Sequence, residues 1–373
     1  MTGENININR KCMCEQAKRN EEYAGEMKHD TKVIRVDPQA HIEELKAQLR
    51  EPAIALRQGA LVAFPTETVY GLGCNPFDAT AVQRLFVIKG RPTDRPLILH
   101  VANEEQAWEL TAEIPETARK LAEHFFPGPL TIVLPRAPEV PESVCGGGDK
   151  VGIRCPAHPI ARELISLASV PVAAPSANLS GHISPTDAEE VLRQLSGRIE
   201  YVVDGGPTLV GIESTVIDLT VTPARILRLG AIPLEDIENI LGEPVLYEDA
   251  STMPRYQPLH AELILVDVED EEMRVTKLLE TTHQHATADK QVALLLTEET
   301  HARIERYRLP PQIIVLTIGA RATPRKIASQ LYKCITNAER CGADAIIVEG
   351  IPPMGIGRSI MHRLRTAASK VVH

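Results

Sequence analysis

The sequence has few of the features that mark nucleic-acid-binding, membrane-spanning or secreted proteins. Its formal net charge is −10 over 373 residues, and only 3% of the residues are aromatic. Both values argue against a broad basic surface with stacking aromatics, which RNA- and DNA-binding proteins usually present. The chain has no apolar run of about eighteen residues, and its first residues are charged where a secretory signal has an apolar core. We therefore expect a soluble, cytoplasmic protein without a membrane association.

The sequence also lacks the cysteine and histidine spacings that structural zinc sites need. Its seven cysteines include no Cys-x-x-Cys pair, and the one close pair, Cys12 and Cys14, lies in a polar segment. We expect reduced, mostly buried thiols and no metal ion held by protein side chains.

The sequence does contain enough apolar residues to form more than one hydrophobic core. A chain of 373 residues with 43% hydrophobic content exceeds the usual size of a single core, so we expect two domains. Residues 1–31 are rich in Asn, Lys and Glu and show no apolar periodicity, which predicts a disordered or weakly helical extension. Met27 is a second possible start of the protein.

The rest of the chain divides into a larger and a smaller α/β domain. Residues 40–245 mix strand and helix patterns with little strict alternation, which predicts a domain around a twisted mixed sheet. Residues 246–260 contain acidic residues and prolines without periodicity and are predicted to be a linker. Residues 261–373 alternate strand and helix patterns, as is typical of a smaller, parallel, Rossmann-like domain.

Apolar runs predict the strands, and apolar spacings of three and four predict the helices. The predicted strands are residues 60–64, 97–101, 130–134, 151–154, 170–174, 201–204, 215–218, 224–228, 261–268, 291–296, 313–318 and 345–349. The predicted helices are residues 42–50 with 53–56, 79–88, 105–110, 115–125, 159–167, 186–195, 233–241, 272–282, 298–306 and 324–341.

Two neighbouring motifs in the larger domain are suited to bind an anion. The first is FPTETVYGLG at residues 64–73, which ends an apolar strand with hydroxyls and glycines. The second is KGRPTDRP at residues 89–96, which places three cations within seven residues on a loop shaped by Gly and Pro. Such a loop is not helix interior, and its cations need a partner or water. On residue types alone, a solvated turn is also typical of such a loop.

Two later motifs add neutral hydrogen-bonding groups. They are PSANLSG at residues 175–181 and GIESTVID at residues 211–218, and both place hydroxyls or amides at the exits of apolar strands. Neutral donors together with the cations of residues 89–96 suit a substrate that carries phosphates.

With these motifs the chain resembles the YrdC-like L-threonylcarbamoyladenylate synthases, in their long two-domain form. The likeness covers about residues 40–370 and rests on the strand exit at residues 64–73. It also rests on a Lys-x-Arg motif, Lys89 and Arg91, and on a later Ser-x-Asn motif, Ser176 and Asn178. The supporting motifs are GPLT at 128–131, GIRCP at 152–156, EST at 213–215 and RILRLG at 225–230.

The resemblance implies an enzyme that converts L-threonine, bicarbonate and ATP into threonylcarbamoyl-AMP and pyrophosphate, with Mg²⁺ accompanying the ATP. The product would feed threonylcarbamoyladenosine formation in certain tRNAs. The implied partner is therefore a downstream tRNA threonylcarbamoyl transferase, with tRNA as a further possible partner. No general acid or base stands out in the motifs, which agrees with catalysis by positioning and charge neutralisation.

The resemblance also implies roles for individual residues. Lys89 and Arg91 are implied to be catalytic, because cations can stabilise the charge that develops between the α and β phosphates. The implied ATP-binding residues are Lys89, Arg91, Arg95, Ser176, Asn178, Ser184 and Arg228. The implied threonine-binding residues are Thr68, His100, Arg154 and Ser214. Among these, Arg154 is suited to the amino acid's carboxylate, and the hydroxyls of Thr68 and Ser214 to its hydroxyl or the carbamate.

Several of these residues also have a purely structural interpretation. His100 directly follows an apolar run and is typical of a histidine at a strand end. Ser176 and Ser184 are also suited to cap turns or the helix that follows Pro185.

The chain departs from the family pattern in its linker. The family usually has a Gly-Met-containing segment ending in His-Tyr-Ala-Pro, thought to fold over the active site, whereas this chain has STMPRYQP at residues 251–258. We expect closure of the site to be altered and assign no catalytic role to Tyr256. Near the end of the chain, GIGRSIMHRLR at residues 355–365 lacks a third glycine in register. A turn leading into a basic amphipathic helix is favoured there over a dinucleotide fingerprint.

Two other functions compete with the synthase. The first is an RNA-binding module without turnover, since single-domain relatives of this fold have been associated with structured RNA; the acidic balance of the chain counts against it. The second is a carbamoyl-transfer accessory module like the homologous domain of hydrogenase-maturation proteins. In those proteins the module is accompanied by zinc-finger and acylphosphatase-like segments, which this sequence lacks.

Overall fold

The computed structural model describes residues 30–247, 260–286 and 290–373. We refer to residues 30–247 as the first domain and to residues 260–373 as the C-terminal domain. The predicted extension and linker lie mostly outside the described residues, and so do Tyr256 and the Cys12 and Cys14 pair.

The first domain contains two mixed sheets. Its strands are β1 (Lys32–Arg35), β2 (Val62–Pro65), β3 (Tyr70–Gly73), β4 (Ile98–His100), β5 (Leu130–Pro135), β6 (Lys150–Arg154), β7 (Val172–Ala173), β8 (Tyr201–Asp204), β9 (Thr215–Asp218), β10 (Arg225–Arg228) and β11 (Leu246–Tyr247). One sheet has the order β1-β8-β2-β3, and the other has the order β11-β10-β9-β5-β6-β4-β7. A bridge between Cys74, directly after β3, and Ala173 of β7 joins the sheets. The predicted mixed α/β class is confirmed, with two sheets instead of one.

Helices cover these sheets and bury their apolar faces. They are α1 (Ile42–Arg57), α2 (Ala79–Lys89), α3 (Glu104–Trp108), α4 (Glu116–Phe125), α5 (Pro159–Ala168), α6 (Ala188–Leu195) and α7 (Leu234–Leu241). Helix α2 positions the site, because both of its ends are fixed. Asp78 accepts hydrogen bonds from the backbone N–H groups of Thr80 and Ala81 at its start, and Gly90 ends it with φ +61°. Lys89 is therefore the last helical residue.

The C-terminal domain has one fully parallel sheet. Its strands are β12 (Glu262–Val266), β13 (Val292–Thr297), β14 (Ile313–Gly319), β15 (Ala345–Glu349) and β16 (Lys370–Val372), in the order β14-β13-β15-β12-β16. Every neighbouring pair in this sheet is parallel. Its helices are α8 (Glu271–His285), α9 (Glu298–Ile304), α10 (Pro324–Arg340) and α11 (Ile356–Ala367). The Rossmann-like prediction is confirmed, although the short strand β16 was not predicted.

The two domains share an apolar core. Ile183, Ile212 and Ala231 of the first domain belong to the same buried cluster as the apolar faces of α10 and α11. Gly211 approaches α10 so closely that an added Cβ would lie 2.5 Å from the Cα of Ser329. The loop before β9, which carries one of the four motifs, is therefore packed directly against the C-terminal domain.

Two further expectations concern cysteines and membranes. The five cysteines in the described ranges are free thiols, and four of them are buried. Among the helices of the described residues, none is long and apolar enough to span a bilayer.

Candidate active site

Backbone hydrogen bonds bring the four motifs together. Residues 64–73 bond to residues 211–218, since the N–H of Gly211 donates to the carbonyl of Thr68 over 3.0 Å. Residues 89–96 bond to residues 175–181, since the N–H of Ser180 donates to the carbonyl of Lys89 over 2.7 Å. A bridge between Gly71 and Ser176 joins the first motif to the third. Four segments that are far apart in the sequence therefore form one region.

Lys89 is buried, which corrects our expectation of a cation exposed on a loop. Its Nζ donates to the backbone carbonyl of Ser176 over 2.5 Å and also to that of Asn178. Burial, followed by the nearby Arg91, holds the pKa of Lys89 well below its ordinary value. The position of Lys89 at the end of α2 lets it reach across to the Ser-x-Asn motif and hold that segment in place.

Arg91 and Arg95 are half-buried on the loop that follows α2. The Nη2 of Arg91 donates to the carbonyl of Pro96 over 2.9 Å, across the same loop. The backbone N–H of Arg95 donates to the carbonyl of Pro92 over 3.3 Å. The two guanidinium groups therefore sit on a compact turn and are more accessible than Lys89.

The Ser-x-Asn motif forms a tightly bonded turn. The Oγ of Ser176 donates to the Oδ1 of Asn178. The Nδ2 of Asn178 donates to the carbonyls of Leu179 and His182, both over 2.7 Å. These bonds give the motif a structural role in shaping the loop, whatever else it binds.

Ser184 does not cap the helix that follows it. The cap of α6 is Asp187, whose side chain accepts from the N–H of Glu190. The buried Oγ of Ser184 instead donates to Oε1 of Glu213 over 2.7 Å. Ser184 is thereby held next to the loop that carries Ser214.

Arg154 and His100 lie side by side, because they are paired in register on the parallel strands β6 and β4. The Nη2 of Arg154 donates to Oε1 of Glu67 over 2.7 Å, and its Nε donates to the carbonyl of Gly128 over 3.3 Å. Burial, followed by the charge of Arg154, lowers the pKa of His100 to about 3. His100 is therefore neutral near pH 7.

Ser214, Thr131 and Arg228 form a second polar cluster. The Oγ of Ser214 lies 2.8 Å from the Oγ1 of Thr131, because β9 pairs with β5 in parallel. The Nη2 of Arg228 donates to the Oγ of Ser214 over 2.8 Å and to its carbonyl over 2.9 Å. The structure therefore places Arg228 against Ser214, a residue of the expected threonine set, although we expected it near the nucleotide.

The hydroxyl of Thr68 faces another hydroxyl. Its Oγ1 lies 2.7 Å from that of Thr66, and the Oγ1 of Thr66 also donates to the carbonyl of Val69 over 2.7 Å. Both threonines are buried at the exit of β2. The exit is therefore a preformed polar turn.

Sequence reasoning gave no role to several residues that the structure places at the site. Glu67 pairs with Arg154, Thr131 bonds to Ser214, and Glu213 bonds to Ser184. Glu67 and Glu213 stand inside two of the four motifs, and a buried carboxylate next to apolar residues is a signal that a partner cation is near. The partner cation of Glu213 is Arg363 of the C-terminal domain. Nothing in the sequence around Arg363 indicates this pairing.

The arrangement provides cations, buried hydroxyls and a neutral histidine. It can hold phosphates and a carboxylate, and it can stabilise negative charge by preorganised donors. Among the described residues, no three His, Cys, Asp or Glu side chains come together to hold a metal ion.

Family models match both parts of this architecture. The Sua5, YciO and YrdC model, described as "Telomere recombination", matches residues 54–230. A model described as "Threonylcarbamoyl-AMP synthase, C-terminal domain" matches residues 232–369. The fold and the site thus define a YrdC-like protein with a second, C-terminal domain.

Individual relatives narrow this class. The chain is 43% identical over 346 residues to the threonylcarbamoyl-AMP synthase of Pyrococcus abyssi, covering 90% of this chain and 97% of the relative. The crystal structure of P. abyssi Sua5 complexed with L-threonine superposes with a TM-score of 0.79 at 39% identity, covering 92% of this chain and 100% of the other. The threonylcarbamoyl-AMP synthase of Halorhodospira halophila is 39% identical over 184 residues, which are 49% of this chain and 92% of the relative. The chain belongs to the threonylcarbamoyl-AMP synthase family.

Proposed function

We propose that this protein catalyses the formation of threonylcarbamoyl-AMP and pyrophosphate from L-threonine, bicarbonate and ATP. In this reaction the threonine amine and bicarbonate form a carbamate and water. A carbamate oxygen then attacks the α-phosphorus, and the bond to the β-phosphate oxygen breaks as pyrophosphate leaves. The observation that carries the proposal is the joining of the four motifs into one region, in a chain related to such synthases over both domains.

The cations serve the nucleotide in this proposal. Lys89, Arg91 and Arg95 contact the triphosphate and stabilise the charge that develops on the leaving pyrophosphate. Lys89 is already rigid, since two backbone carbonyls hold its Nζ. Arg91 and Arg95 are more accessible and can turn toward the phosphates. The remaining proposed ATP contacts are Ser176, Asn178, Ser184 and Arg228.

The threonine pocket is formed by Thr68, His100, Arg154 and Ser214 in this proposal. A guanidinium has five N–H donors, and the bonds of Arg154 to Glu67 and Gly128 use two of them. We propose that the threonine carboxylate accepts hydrogen bonds from the N–H groups of the Arg154 guanidinium that these bonds leave free. A neutral His100 suits this arrangement, because it adds no second positive charge and can donate or accept a hydrogen bond.

We extend the proposal to the surroundings of the reaction. ATP enters as its Mg²⁺ complex, the protein acts in the cytoplasm, and a tRNA threonylcarbamoyl transferase consumes the product. Residues 40–245 carry the catalysis, residues 246–260 form the linker, and residues 261–373 form the C-terminal domain.

Pyrophosphate release tests the proposal directly. The purified protein is incubated with ATP, Mg²⁺ and bicarbonate, with L-threonine, with L-serine, or with neither amino acid. We expect release that depends on threonine and is much weaker with serine. Absence of release under every condition would overturn the proposal. Tight, steeply salt-dependent tRNA binding without turnover would then support the RNA-binding alternative.

A further inference from the structure

Glu213 of the first domain is bonded to a cation of the C-terminal domain. Its Oε2 accepts from Nε of Arg363 over 2.8 Å and lies 2.8 Å from Nη2 of the same guanidinium. The side chains of Glu213 and Arg363 are only 6% and 8% exposed. Arg363 belongs to α11, so this buried ion pair joins the two domains.

The other neighbours of Glu213 complete its environment. The hydroxyl of Tyr332, on α10, lies 3.3 Å from Oε2 and 3.5 Å from Oε1 of the carboxylate. Arg228 of the first domain adds a second positive charge near it. Burial alone would raise the pKa of Glu213, but Arg363 and then Arg228 outweigh it and lower the pKa to about 2. Glu213 is therefore ionised at every working pH.

The first-domain side of this carboxylate faces the candidate active site. Its Oε1 accepts the hydroxyl proton of Ser184 over 2.7 Å, and the next residue in the chain is Ser214. Glu213 thus lies between a proposed ATP contact and a proposed threonine contact. An ionised carboxylate can only accept hydrogen bonds, so Ser184 must donate to it. The lone pairs of the Ser184 oxygen then remain for a donor group of the substrate.

We propose that Arg363, assisted by Tyr332, is a positioning residue for the active site of the first domain. Arg363 fixes the carboxylate of Glu213, which fixes the Ser184 hydroxyl as a hydrogen-bond acceptor for a nucleotide N–H or O–H group. This inference rests on the proposed function, because Ser184 orients a substrate only if ATP binds there. The inference gives the C-terminal domain a part in substrate binding. The synthase of Halorhodospira halophila, by contrast, matches only 184 residues of this chain.

The pH profile of an Arg363→Met variant of the full-length chain tests the inference. Removing the guanidinium leaves Glu213 buried beside Arg228 alone, so the pKa of Glu213 rises. We expect at least a tenfold lower kcat/KM for ATP near neutral pH, mainly through KM. We also expect a new ionisation in the pH profile, with higher activity on its alkaline side, that the original protein lacks.

A matched control lies on the same helix. Arg358 forms another ion pair between the domains, 2.8 Å from Glu235, but the two side chains are 35% and 43% exposed. Arg358→Met should leave kcat/KM and the pH profile unchanged. A loss equal to that of Arg363→Met would show that any weakening of the domain contact has the same effect, and it would overturn the inference.

A double variant covers the case in which Arg363→Met does not fold. Glu213→Gln/Arg363→Met replaces both charges with neutral groups, which buried pairs tolerate better than the loss of one partner. We expect a raised KM for ATP without the new ionisation; unchanged kinetics would overturn the inference while leaving the proposed function intact. If the original protein shows no threonine-dependent pyrophosphate release, the proposed function fails, and the inference fails with it.

Discussion

Arg154 and Glu67 form an ion pair in the interior of the first domain, with 2.7 Å between Nη2 and Oε1. Their side chains are 5% and 8% exposed. The second carboxylate oxygen of Glu67 accepts from the N–H of Ala157 over 3.0 Å. The pair therefore ties the exit of β2 to the end of β6, and it holds the guanidinium that we propose binds the threonine carboxylate.

Loss of Glu67 should destabilise the first domain strongly. Glu67→Ala leaves the guanidinium buried without its charge partner, so we expect a loss of about 3–5 kcal/mol in the free energy of unfolding. Urea unfolding followed by the fluorescence of Trp108, the one tryptophan of the chain, measures it in the first domain. The control is Arg35→Ala, since Arg35 is 89% exposed and 4.0 Å from Asp204. An equally stable Glu67→Ala variant would contradict a structural role for the pair.

Lys89→Met should affect both turnover and stability. The methionine keeps most of the side-chain volume. It removes the Nζ group that donates hydrogen bonds to the carbonyls of Ser176 and Asn178. We expect a loss of about 1–3 kcal/mol in the free energy of unfolding. Loss of a cation at the phosphates should lower turnover by about a hundredfold or more.

Two comparisons separate these effects of Lys89. Arg91→Met should lower turnover with a smaller loss of stability, because Arg91 is half-buried. Lys46→Met, on α1, should change neither quantity, since Lys46 forms an exposed ion pair with Glu43. If Lys89→Met kept full turnover, the proposed phosphate role would be wrong.

His100 should make the stability of the first domain depend on pH. Its pKa is about 3 in the folded protein and close to the ordinary 6.5 in the unfolded chain. Between these values the unfolded state binds more protons, so stability falls as the pH is lowered from 6.5 toward 3. From pH 7 to pH 5 we expect His100 alone to account for about 2 kcal/mol of lost stability.

The comparison of His100→Gln with the original protein isolates this contribution. His158 and His182 act in the same direction, since burial also lowers their pKa values, so some pH dependence should remain. Glu213 contributes in a lower window, between its folded pKa of about 2 and the ordinary 4.5. Urea unfolding at pH 7 and pH 5 should show a smaller loss for the variant. Identical losses would contradict the buried neutral state of His100.

Gly211→Ala should weaken the contact between the domains. Gly211 has φ +77°, and an added Cβ would also lie 2.6 Å from the carbonyl oxygen of Ala328. Gly206 is a matched control, because it has φ +79° and nothing within 4 Å of an added Cβ. Both alanines carry the strain of a left-handed residue, about 1–2 kcal/mol.

Only the Gly211 variant adds a clash with α10. We therefore expect a lower unfolding midpoint in Gly211→Ala than in Gly206→Ala, and differential scanning calorimetry measures this difference. Equal behaviour of the variants would show that the close approach to Ser329 has no energetic consequence.

Much of the fold could be predicted because local patterns determine it. Strands Tyr201–Asp204 and Thr215–Asp218 were predicted at their observed bounds, since each is a short apolar run flanked by breakers. The C-terminal sheet followed from alternation of strand and helix patterns. The division of the first domain into two sheets was missed, because it depends on pairings between distant strands, such as β1 with β8.

The site was predictable in its residue types but not in its contacts. The predicted helix 79–88 ends one residue before the observed end of α2 at Lys89. The burial of Lys89 was not predictable, because it depends on carbonyls 87 and 89 residues further along the chain. The bond between Glu213 and Arg363 spans 150 residues. Arg363 looks in sequence like any other cation on an amphipathic helix, and only the packing of α11 against the first domain gives it a partner.

The apolar cluster shared by the two domains limits how the chain can be shortened. A fragment ending at residue 247 would present Ile183, Ile212 and Ala231 to solvent. It would also leave the carboxylate of Glu213 at a newly wetted surface without Arg363. Engineering a one-domain enzyme from this chain therefore means redesigning that surface with polar residues, because simple truncation would create a sticky, aggregation-prone face.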